Sequence, residues 1–407
     1  MTTTPSARPT GHFTVVEYGD GISAAHAGKM LADFGATVIK VEPPEGDALR
    51  RAGPFPGDMP DPEKAGHFLY LNTNKYGVTL NPGLPTGRAI LLKLLAGADA
   101  FVTNAAPSRL SAERLTYADL KASHPRLVVA TITPWGTDGP YKDRKSTDLT
   151  MNAAGGFSWG IGLPDGQPLQ MPYDQSQYQG GLSAAGATLA ALFARYRTGR
   201  GQHVDIAIAE VLACFYEDMY MPAFVFQGVM GRRQGYRNTI GRYPQTLMQC
   251  KDGYVSLSAP QKDQWVRFVK VIGTPEWSKD PRYRDRRAMA EQYPDEVDAL
   301  LKPWFMARTK KEIFALCDEA HVPFAPVHTV AEVAEDAHSE ARSLFTDVAH
   351  PRAGVVRQAA APFRLTGSPW RVERPAPTLG QHNVSIYCER LGYKPADLVD
   401  LHRAGVI

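Results

Sequence analysis

The chain has 407 residues and a formal net charge of +3. Hydrophobic residues make up 43% and charged residues 21%, which is the usual globular mix and permits a sizeable core. The length predicts two domains, or one large domain with an elaboration. The small charge, without any long basic run, argues against a nucleic-acid-binding protein. No apolar stretch reaches the roughly 18 residues of a membrane-spanning helix.

The four cysteines are widely spaced and form no Cys-x-x-Cys pair: Cys214, Cys250, Cys317 and Cys388. This pattern excludes a zinc ribbon and indicates a reducing compartment. The histidines are scattered without close helical spacing, so no metal site is expected. The polar N-terminal residues lack the apolar segment of a signal peptide, and we expect a cytoplasmic location.

A strand–turn–helix–strand unit opens the chain. Residues 13–18 and 37–42 read as buried strands, and residues 24–34 have helical periodicity that ends at Gly35. Small residues at 19–23 form the turn between the first strand and the helix. Such a βαβ unit implies a parallel sheet.

The same alternation continues along the first half of the chain. Further strands are predicted at 77–80, 100–103, 127–133 and 204–208, with helical segments at 87–95, 117–122 and 180–196. This pattern predicts a doubly wound parallel sheet, in which ligands bind at the carboxyl ends of the strands. Residues 19–23, 42–47 and 104–109 would therefore line one crevice.

Beyond residue 228 the character of the sequence changes. A strand at 254–257 and charged amphipathic helices at 264–272 and 309–321 are followed by a proline-rich tail with a late helix at 383–390. We therefore predict a large domain over residues 1–227, a smaller domain over 228–330, and a return to the large domain over 331–407.

Two glycine-containing segments have a weak resemblance to nucleotide-binding motifs. The turn Gly19-Asp20-Gly21-Ile22-Ser23 lacks the third glycine of a dinucleotide fingerprint, although Glu42 ends the second strand as that fingerprint requires. We favour a different nucleotide-containing ligand on this turn over a nicotinamide cofactor. Residues 198–202 lack the lysine of a phosphate-binding loop and read as a helix end followed by a tight turn.

Candidate carboxylates for acid–base or nucleophilic chemistry lie in the central segment. Asp148 and Asp174 stand beside apolar or aromatic residues, where a raised pKa would suit an acid, a base or a nucleophile. A helix N-cap or a surface turn is the alternative for each, and it is preferred for Asp165 before Gly166. No Gly-x-Ser-x-Gly sequence is present, so an α/β-hydrolase is not expected.

Motifs along residues 11–407 together resemble the class III CoA-transferases, of the formyl-CoA transferase and carnitine CoA-transferase types. They occur at 32–47, 72–75, 104–107, 125–127, 136–141, 197–205 and 376–382. The resemblance implies a Rossmann-like α/β domain built from both chain ends, a smaller α+β domain, and two subunits interlocked as rings. It also implies coenzyme A or acyl-CoA as substrate, with no metal.

The resemblance places CoA across the first βα turn. The contacts carried over by position are Gly21, Ile22, Pro43, Leu80, Asn104 and Lys145. Lys145 would meet a CoA phosphate as a point charge. Pro43 stands where relatives place an arginine, and Arg50 and Arg51 are the nearest arginines in the sequence.

The residue at the family's catalytic position is the main departure. In these transferases an aspartate attacks the thioester, forms an acyl anhydride and then carries CoA. Its position here is occupied by Gln177, whose amide is not a useful nucleophile. The related α-methylacyl-CoA racemases add a histidine, whose position here is Thr147, so racemisation is not expected.

Two explanations of Gln177 follow from the resemblance. An early helix start could bring Asp174 towards the site. Alternatively, the chain is the aspartate-less subunit of a heteromeric transferase, as in benzylsuccinate CoA-transferases, and pairs with a homologous subunit that bears the aspartate.

The predicted function is a CoA-transferase component that moves CoA between an acyl-CoA, such as succinyl-CoA, and a carboxylic acid. The alternatives are a non-catalytic acyl-CoA-binding scaffold, and a CoA-thioester lyase or isomerase using Asp148 or Asp174.

Overall fold

The computed structural model describes residues 8–215, 220–231, 233–237 and 243–407. The chain forms two compact units. The first contains the chain up to Phe157 together with Gln170–Met221 and Glu340–Ile407, and the second contains Ser158–Leu169 and Pro222–Ser339. In the part of the chain that is described, no helix has both the length and the apolar character needed to cross a bilayer.

A six-stranded parallel sheet forms the centre of the first unit. Its strands are β1 (Thr14–Tyr18), β2 (Thr37–Glu42), β3 (Lys75–Thr79), β4 (Ala100–Thr103), β5 (Val128–Thr133) and β6 (His203–Ala207). Their order is β3-β2-β1-β4-β5-β6, and every neighbouring pair is parallel. The predicted doubly wound parallel sheet is confirmed. The order reverses between β1 and β4, which is where such sheets bind ligands.

Helices cover both faces of this sheet. They are α1 (Ile22–Asp33), α2 (Gly66–Leu71), α3 (Pro85–Ala96), α4 (Pro107–Ala112), α5 (Tyr117–Leu120), α6 (Asp148–Ala154), α8 (Gln175–Thr198), α9 (Ile208–Phe215) and α17 (Pro395–Arg403). Three further helices, α7 (Phe157–Gly160), α10 (Tyr220–Gln227) and α16 (Ala337–Ala341), span the borders between the units. Helix α8 begins before its predicted start at residue 180.

Small residues allow α8 to pack directly against the backbone of α1. A Cβ atom added at Gly181 would lie 2.6 Å from the Ser23 carbonyl oxygen and 2.9 Å from the Cβ of His26. Such a distance leaves no room for a side chain. The glycine therefore fixes how closely the two helices approach.

The C-terminal segment returns to the first unit through helices and a hairpin. A π-helical segment (Val384–Arg390) and α17 pack into the core on one face of the sheet, where the Tyr387 hydroxyl donates to the Thr79 carbonyl at 2.8 Å. The antiparallel hairpin of β10 (Phe345–His350) and β11 (Gly354–Ala359) packs Ala353 and Val356 against a small apolar cluster that includes Ile22 and Phe68. Both chain ends thus contribute to this unit.

The second unit is built around a small antiparallel sheet. Its strands β7 (Gln245–Cys250), β8 (Gly253–Ser258) and β9 (Phe324–Pro326) lie in that order. Its helices are α11 (Lys262–Val271), α12 (Arg286–Glu291), α13 (Pro294–Met306), α14 (Lys310–Glu319) and α15 (Val330–Glu335). An aromatic core that includes Phe268 and Phe305 joins the sheet to the helices.

Candidate active site

Two aspartates join the turn between β1 and α1, the first βα turn, to the loop that follows β2. Asp47 accepts hydrogen bonds from the backbone N–H of Gly21 at 3.2 Å and of Leu49 at 2.8 Å. Asp20 accepts one from the N–H of Ala48 at 2.6 Å, so the two segments hold each other reciprocally. Gly21 itself has φ +78°, a conformation that favours glycine and starts α1 at the next residue.

A buried set of charges lies beneath this turn. Lys40 contacts Glu17 at 3.0 Å and Asp47 at 2.6 Å, and Lys75 contacts Glu17 at 2.7 Å, with all four side chains about fully buried. Burial alone would raise the pKa of Asp47, but the Lys40 ammonium and hydrogen bonds bring it to about 2. Burial lowers the pKa of Lys75 to about 8 despite the opposing charge of Glu17.

Asn104 links the first turn to the end of β4. Its side-chain oxygen accepts from the Asp20 N–H at 2.9 Å, and its amide nitrogen donates to the Asp20 carbonyl at 2.6 Å and to Ser23 Oγ at 3.1 Å. A Cβ atom at Gly19 would lie 1.9 Å from that oxygen, so glycine is required there. Because these contacts engage both ends of the amide, Asn104 positions the turn.

The arrangement does not suit a nicotinamide dinucleotide. Glu42, the residue that such a cofactor would use for its ribose, is fully buried and is bound by Arg50 Nε at 2.6 Å and Nη2 at 2.8 Å. The Asp47 carboxylate accepts from the Gly21 N–H just before α1, and the Asp20 carboxylate accepts from the Ala48 N–H in the loop after β2.

The other residues carried over as CoA contacts have different environments. Ile22 is 9% exposed, and Leu80 is fully buried in the core, so its side chain is out of reach of a ligand. Pro43 is half-buried at the end of β2. Lys145 is exposed in the loop before α6. The structure thus brings Gly21, Ile22 and Asn104 together at the first turn.

Gln177 lies in the first turn of α8 between two anchored neighbours. On one side, Asp148 accepts from the Ser176 N–H at 3.0 Å and from the Ser176 hydroxyl. On the other side, His26 Nδ1 lies 2.8 Å from the Tyr178 carbonyl oxygen, and the two rings meet edge to face with centroids 5.1 Å apart. The backbone that carries Gln177 is therefore held from both sides.

The protonation state of His26 follows from its burial. Burial lowers the pKa of this imidazole, more than its bond to the Tyr178 carbonyl raises it. The neutral ring therefore carries its proton on Nδ1 and donates it to that carbonyl. Among the described residues, the Gln177 carboxamide itself has no hydrogen-bond partner.

The two candidate carboxylates near Gln177 differ in how they are held. Asp148 accepts a third hydrogen bond from Asn152 Nδ2 at 2.9 Å, so its oxygens are occupied and it acts as an anchor for α8. Asp174 is the exposed N-cap residue of α8, with φ +53° and no capping hydrogen bond from its side chain. The apolar surroundings expected from its sequence neighbours are absent, because Tyr173 is 87% exposed.

Sequence reasoning missed His26, and it placed Asp20 and Asp47 at the predicted crevice without assigning them a role. The sequence signal for His26 is that it is an imidazole among small residues in the first two turns of α1. The pairing of Asp20 with Ala48 and of Asp47 with Gly21 crosses more than twenty residues, so no local pattern could reveal it. Among the described residues, no group of His, Cys, Asp or Glu is placed to hold a metal ion.

The fold defines an α/β protein on a Rossmann-like sheet, with the first βα turn and Asn104 in contact where the strand order reverses. The chain matches the model of CoA-transferase family III over residues 12–383. It is 31% identical to succinyl-CoA–D-citramalate CoA-transferase of Chloroflexus aurantiacus, over 98% of both chains. It is 30% identical to a subunit of succinyl-CoA:(R)-benzylsuccinate CoA-transferase of Thauera aromatica, over 97% of both chains.

Comparison with a solved structure supports the same family. A CaiB/BaiF family protein from Brucella suis superposes with a TM-score of 0.85 at 28% identity, over 94% of this chain and 99% of that one. The chain belongs to CoA-transferase family III. It is therefore a class III CoA-transferase, and CoA thioesters are its substrates.

Proposed function

We propose that this chain is the subunit of a heteromeric class III CoA-transferase that lacks the catalytic aspartate. It would interlock with a homologous subunit that bears the aspartate, and the pair would move CoA between succinyl-CoA and a carboxylic acid. The observation that carries this proposal is Gln177, an unpaired carboxamide at the anchored start of α8. The relative from Thauera aromatica is itself named as a subunit.

The chemistry explains why glutamine cannot replace the aspartate. In the family reaction, a carboxylate oxygen attacks the thioester carbonyl, and the CoA thiolate leaves. The thiolate then attacks the aspartyl carbonyl of the anhydride, which releases the first acid and leaves CoA on the protein as a thioester. An amide has no anionic oxygen for the first attack and no oxygen leaving group for the second. The proposal takes neither neighbouring carboxylate as the nucleophile: the oxygens of Asp148 accept hydrogen bonds within the protein, and Asp174 is the exposed N-cap residue of α8.

A gain of function tests the proposal most directly. The purified chain, shown by mass spectrometry to be free of any partner, would be assayed with succinyl-CoA and a panel of dicarboxylic acids. We expect no transfer by the wild-type chain and measurable transfer by Gln177→Asp. Because both anchors of α8 are intact, the new carboxylate would start in a prearranged position. Its CoA thioester should be trapped by hydroxylamine as a mass change on the peptide that contains residue 177.

Gln177→Asn is the matched control, because it has the size of aspartate without its charge, and it should stay inactive. Native mass spectrometry of the complex from its own cells should find a second subunit with an aspartate at the equivalent position. Transfer by the wild-type chain alone would contradict the proposal. In that case Asp174→Ala would show whether the exposed carboxylate supplies the nucleophile.

A further inference from the structure

A cavity of about 520 Å³ lies beside β5 and β6, on the face of the sheet that α4 and α5 cover. Leu110 of α4 and Leu120 of α5 pack in the core on this face, whereas Leu192 of α8 packs in the core on the other face. The cavity and α8 therefore lie on opposite faces of the sheet. Thr131 of β5 and His203 of β6 are among the residues that line the cavity.

A chain of hydrogen bonds orients the imidazole of His203, which lies two residues from Asp205 on the same face of β6. His203 Nε2 lies 2.9 Å from Thr131 Oγ1, and that hydroxyl donates to Asp205 Oδ1 at 3.3 Å. Asp205 Oδ2 in turn accepts from the Thr137 N–H at 2.9 Å. Because the Thr131 proton goes to the carboxylate, the hydroxyl oxygen accepts the proton of Nε2. The neutral imidazole therefore has its lone pair on Nδ1.

The Nδ1 atom of His203 is available to a ligand, since it has no hydrogen-bond partner in the part of the chain that is described. The ring stacks on Tyr117, with centroids 5.5 Å apart and planes at 10°. A capping box of Thr116 and Asp119 fixes the start of α5, which carries this tyrosine. Burial lowers the pKa of His203 more than the charge of Asp205 raises it, so the ring is neutral at neutral pH. The cavity thus contains an oriented imidazole with an unused acceptor atom.

The charges around the imidazole determine which ligand it favours. In the described structure, the titratable groups that face His203 are Tyr117 of α5, Asp205 of β6, and Lys142 and Asp143 of the loop after β5. Lys142 and Asp143 are exposed, and their opposite charges offset each other. An anion at Nδ1 would favour the imidazolium, which the carboxylate of Asp205 also stabilises.

Hydroxyl and apolar groups complete the lining. Ser108 and Ser111 of α4 line the cavity, and neither hydroxyl is bonded to another of the described residues. Such hydroxyls can donate to carboxylate oxygens. Pro107, Leu110 and Ala118 add apolar surface for a carbon chain. This combination suits an organic acid better than inorganic phosphate, which has no apolar part.

We propose that this cavity binds a small organic carboxylate and that His203 takes up a proton at Nδ1 when the anion binds. The proton comes from solvent, and the imidazolium then donates from Nδ1 to the carboxylate and from Nε2 to Thr131. No covalent bond to the ligand is formed or broken. The inference goes beyond the proposed transfer of CoA and does not depend on Gln177.

Isothermal titration calorimetry of the full chain with benzoate tests the proposal. Titrations at one pH in two buffers with different ionisation enthalpies give the number of protons taken up. The wild type should take up about one proton per benzoate above the pKa of His203. Its Kd should therefore rise about tenfold for each further pH unit.

His203→Gln separates this site from any other benzoate site. The glutamine amide can still donate to Thr131, but it takes up no proton. At pH 6 the variant should bind benzoate about 10-fold more weakly than the wild type, and its Kd should not depend on pH. His124→Gln is the matched control, because His124 is a half-buried histidine that bonds to Ser123 Oγ at 2.9 Å and does not line the cavity. It should bind benzoate as the wild type does.

Several results would overturn the inference. They are no binding of benzoate by the wild type, binding without proton uptake, the same proton uptake in His203→Gln, and tighter binding of inorganic phosphate than of benzoate. If His203→Gln does not fold, nitrogen NMR of the wild type decides. Benzoate should then shift one imidazole towards its protonated form, and an unchanged histidine spectrum would contradict the proposal.

Discussion

The first βα turn and the start of α8 differ in whether their polar side chains are hydrogen-bonded within the protein. At the turn, the side chains of Asp20, Asp47 and Asn104 are bonded within the protein. At the start of α8, Tyr173 and Asp174 have φ of +59° and +53° and are exposed, and the carboxamide of Gln177 is unpaired among the described residues. The three side chains at the turn are bonded within the protein, whereas the start of α8 has two strained residues and one carboxamide without a partner among the described residues.

The difference indicates which region presents the chemistry. Non-glycine residues in the left-handed region cost about 1–3 kcal/mol each, and they persist where the surroundings fix the backbone. Here Asp148 and His26 hold the residues on either side of Gln177. In the proposed function, the turn would support the ligand, and the start of α8 would carry the position that reacts. The predictions below test each region separately.

Substituting Lys40, the buried cation beneath the first βα turn, should have the largest effect on stability. Lys40→Met leaves Glu17 and Asp47 without the ammonium that pairs with both, and Glu17 then depends on Lys75 alone. Breaking a buried pair by removing one partner costs about 3–5 kcal/mol. Urea unfolding should therefore show a free energy of unfolding lower by about that amount.

Lys279→Met is the control for this variant. Lys279 forms an exposed i,i+3 pair with Glu276, and such pairs contribute at most about 1 kcal/mol. If the two lysine variants were equally stable, the buried charges would not be what holds the turn.

The acid sensitivity of the turn should depend on Asp47. Its pKa is lowered to about 2, so its contribution to stability is present above its ordinary value of 3.8 and is lost as the pH falls from there towards 2. Between pH 6 and pH 2 the wild type should lose about 2 kcal/mol more than Asp47→Asn, measured by urea unfolding at each pH. Asp20 has a raised pKa from burial and from Asp47, so its effect has the opposite sign.

Asp58→Asn serves as the comparison, because Asp58 is exposed and its carboxylate has no ion pair or side-chain hydrogen bond among the described residues. Its pH dependence should match that of the wild type. An unchanged pH dependence in Asp47→Asn would mean that another carboxylate controls the acid transition.

The sheet could be predicted from the sequence because its strands are short buried runs between glycine and proline signals. β5, for example, is buried at all six positions. The hairpin β10–β11 was missed, since its strands are half exposed and lack a continuous apolar pattern. The start of α8 was placed too late, because Gln175 to Gln179 are polar and their helix is fixed by tertiary anchors. The full burial of Leu80 could not be predicted from the sequence, because the core residues that cluster with it come from distant segments of the chain.

The smallest expected effect concerns His26, which connects the two regions through the packing of α1 on α8. His26→Ala removes the hydrogen bond to the Tyr178 carbonyl and should lower the free energy of unfolding by about 1 kcal/mol. His26→Asn places an amide N–H close to the position of Nδ1, so it should recover most of that loss. Burial lowers the pKa of His26, so its protonation destabilises the fold as the pH falls below 6.5, and His26→Asn should lack this dependence.

In a Gln177→Asp background, His26→Ala should lower kcat more than it raises KM, because the attacking carboxylate is misplaced while the CoA site is intact. His26→Asn should restore kcat. If both His26 variants were as active as the parent, the anchor at Tyr178 would serve helix packing alone. The position of residue 177 would then depend on Asp148, whose bonds to Ser176 are one residue away in the chain.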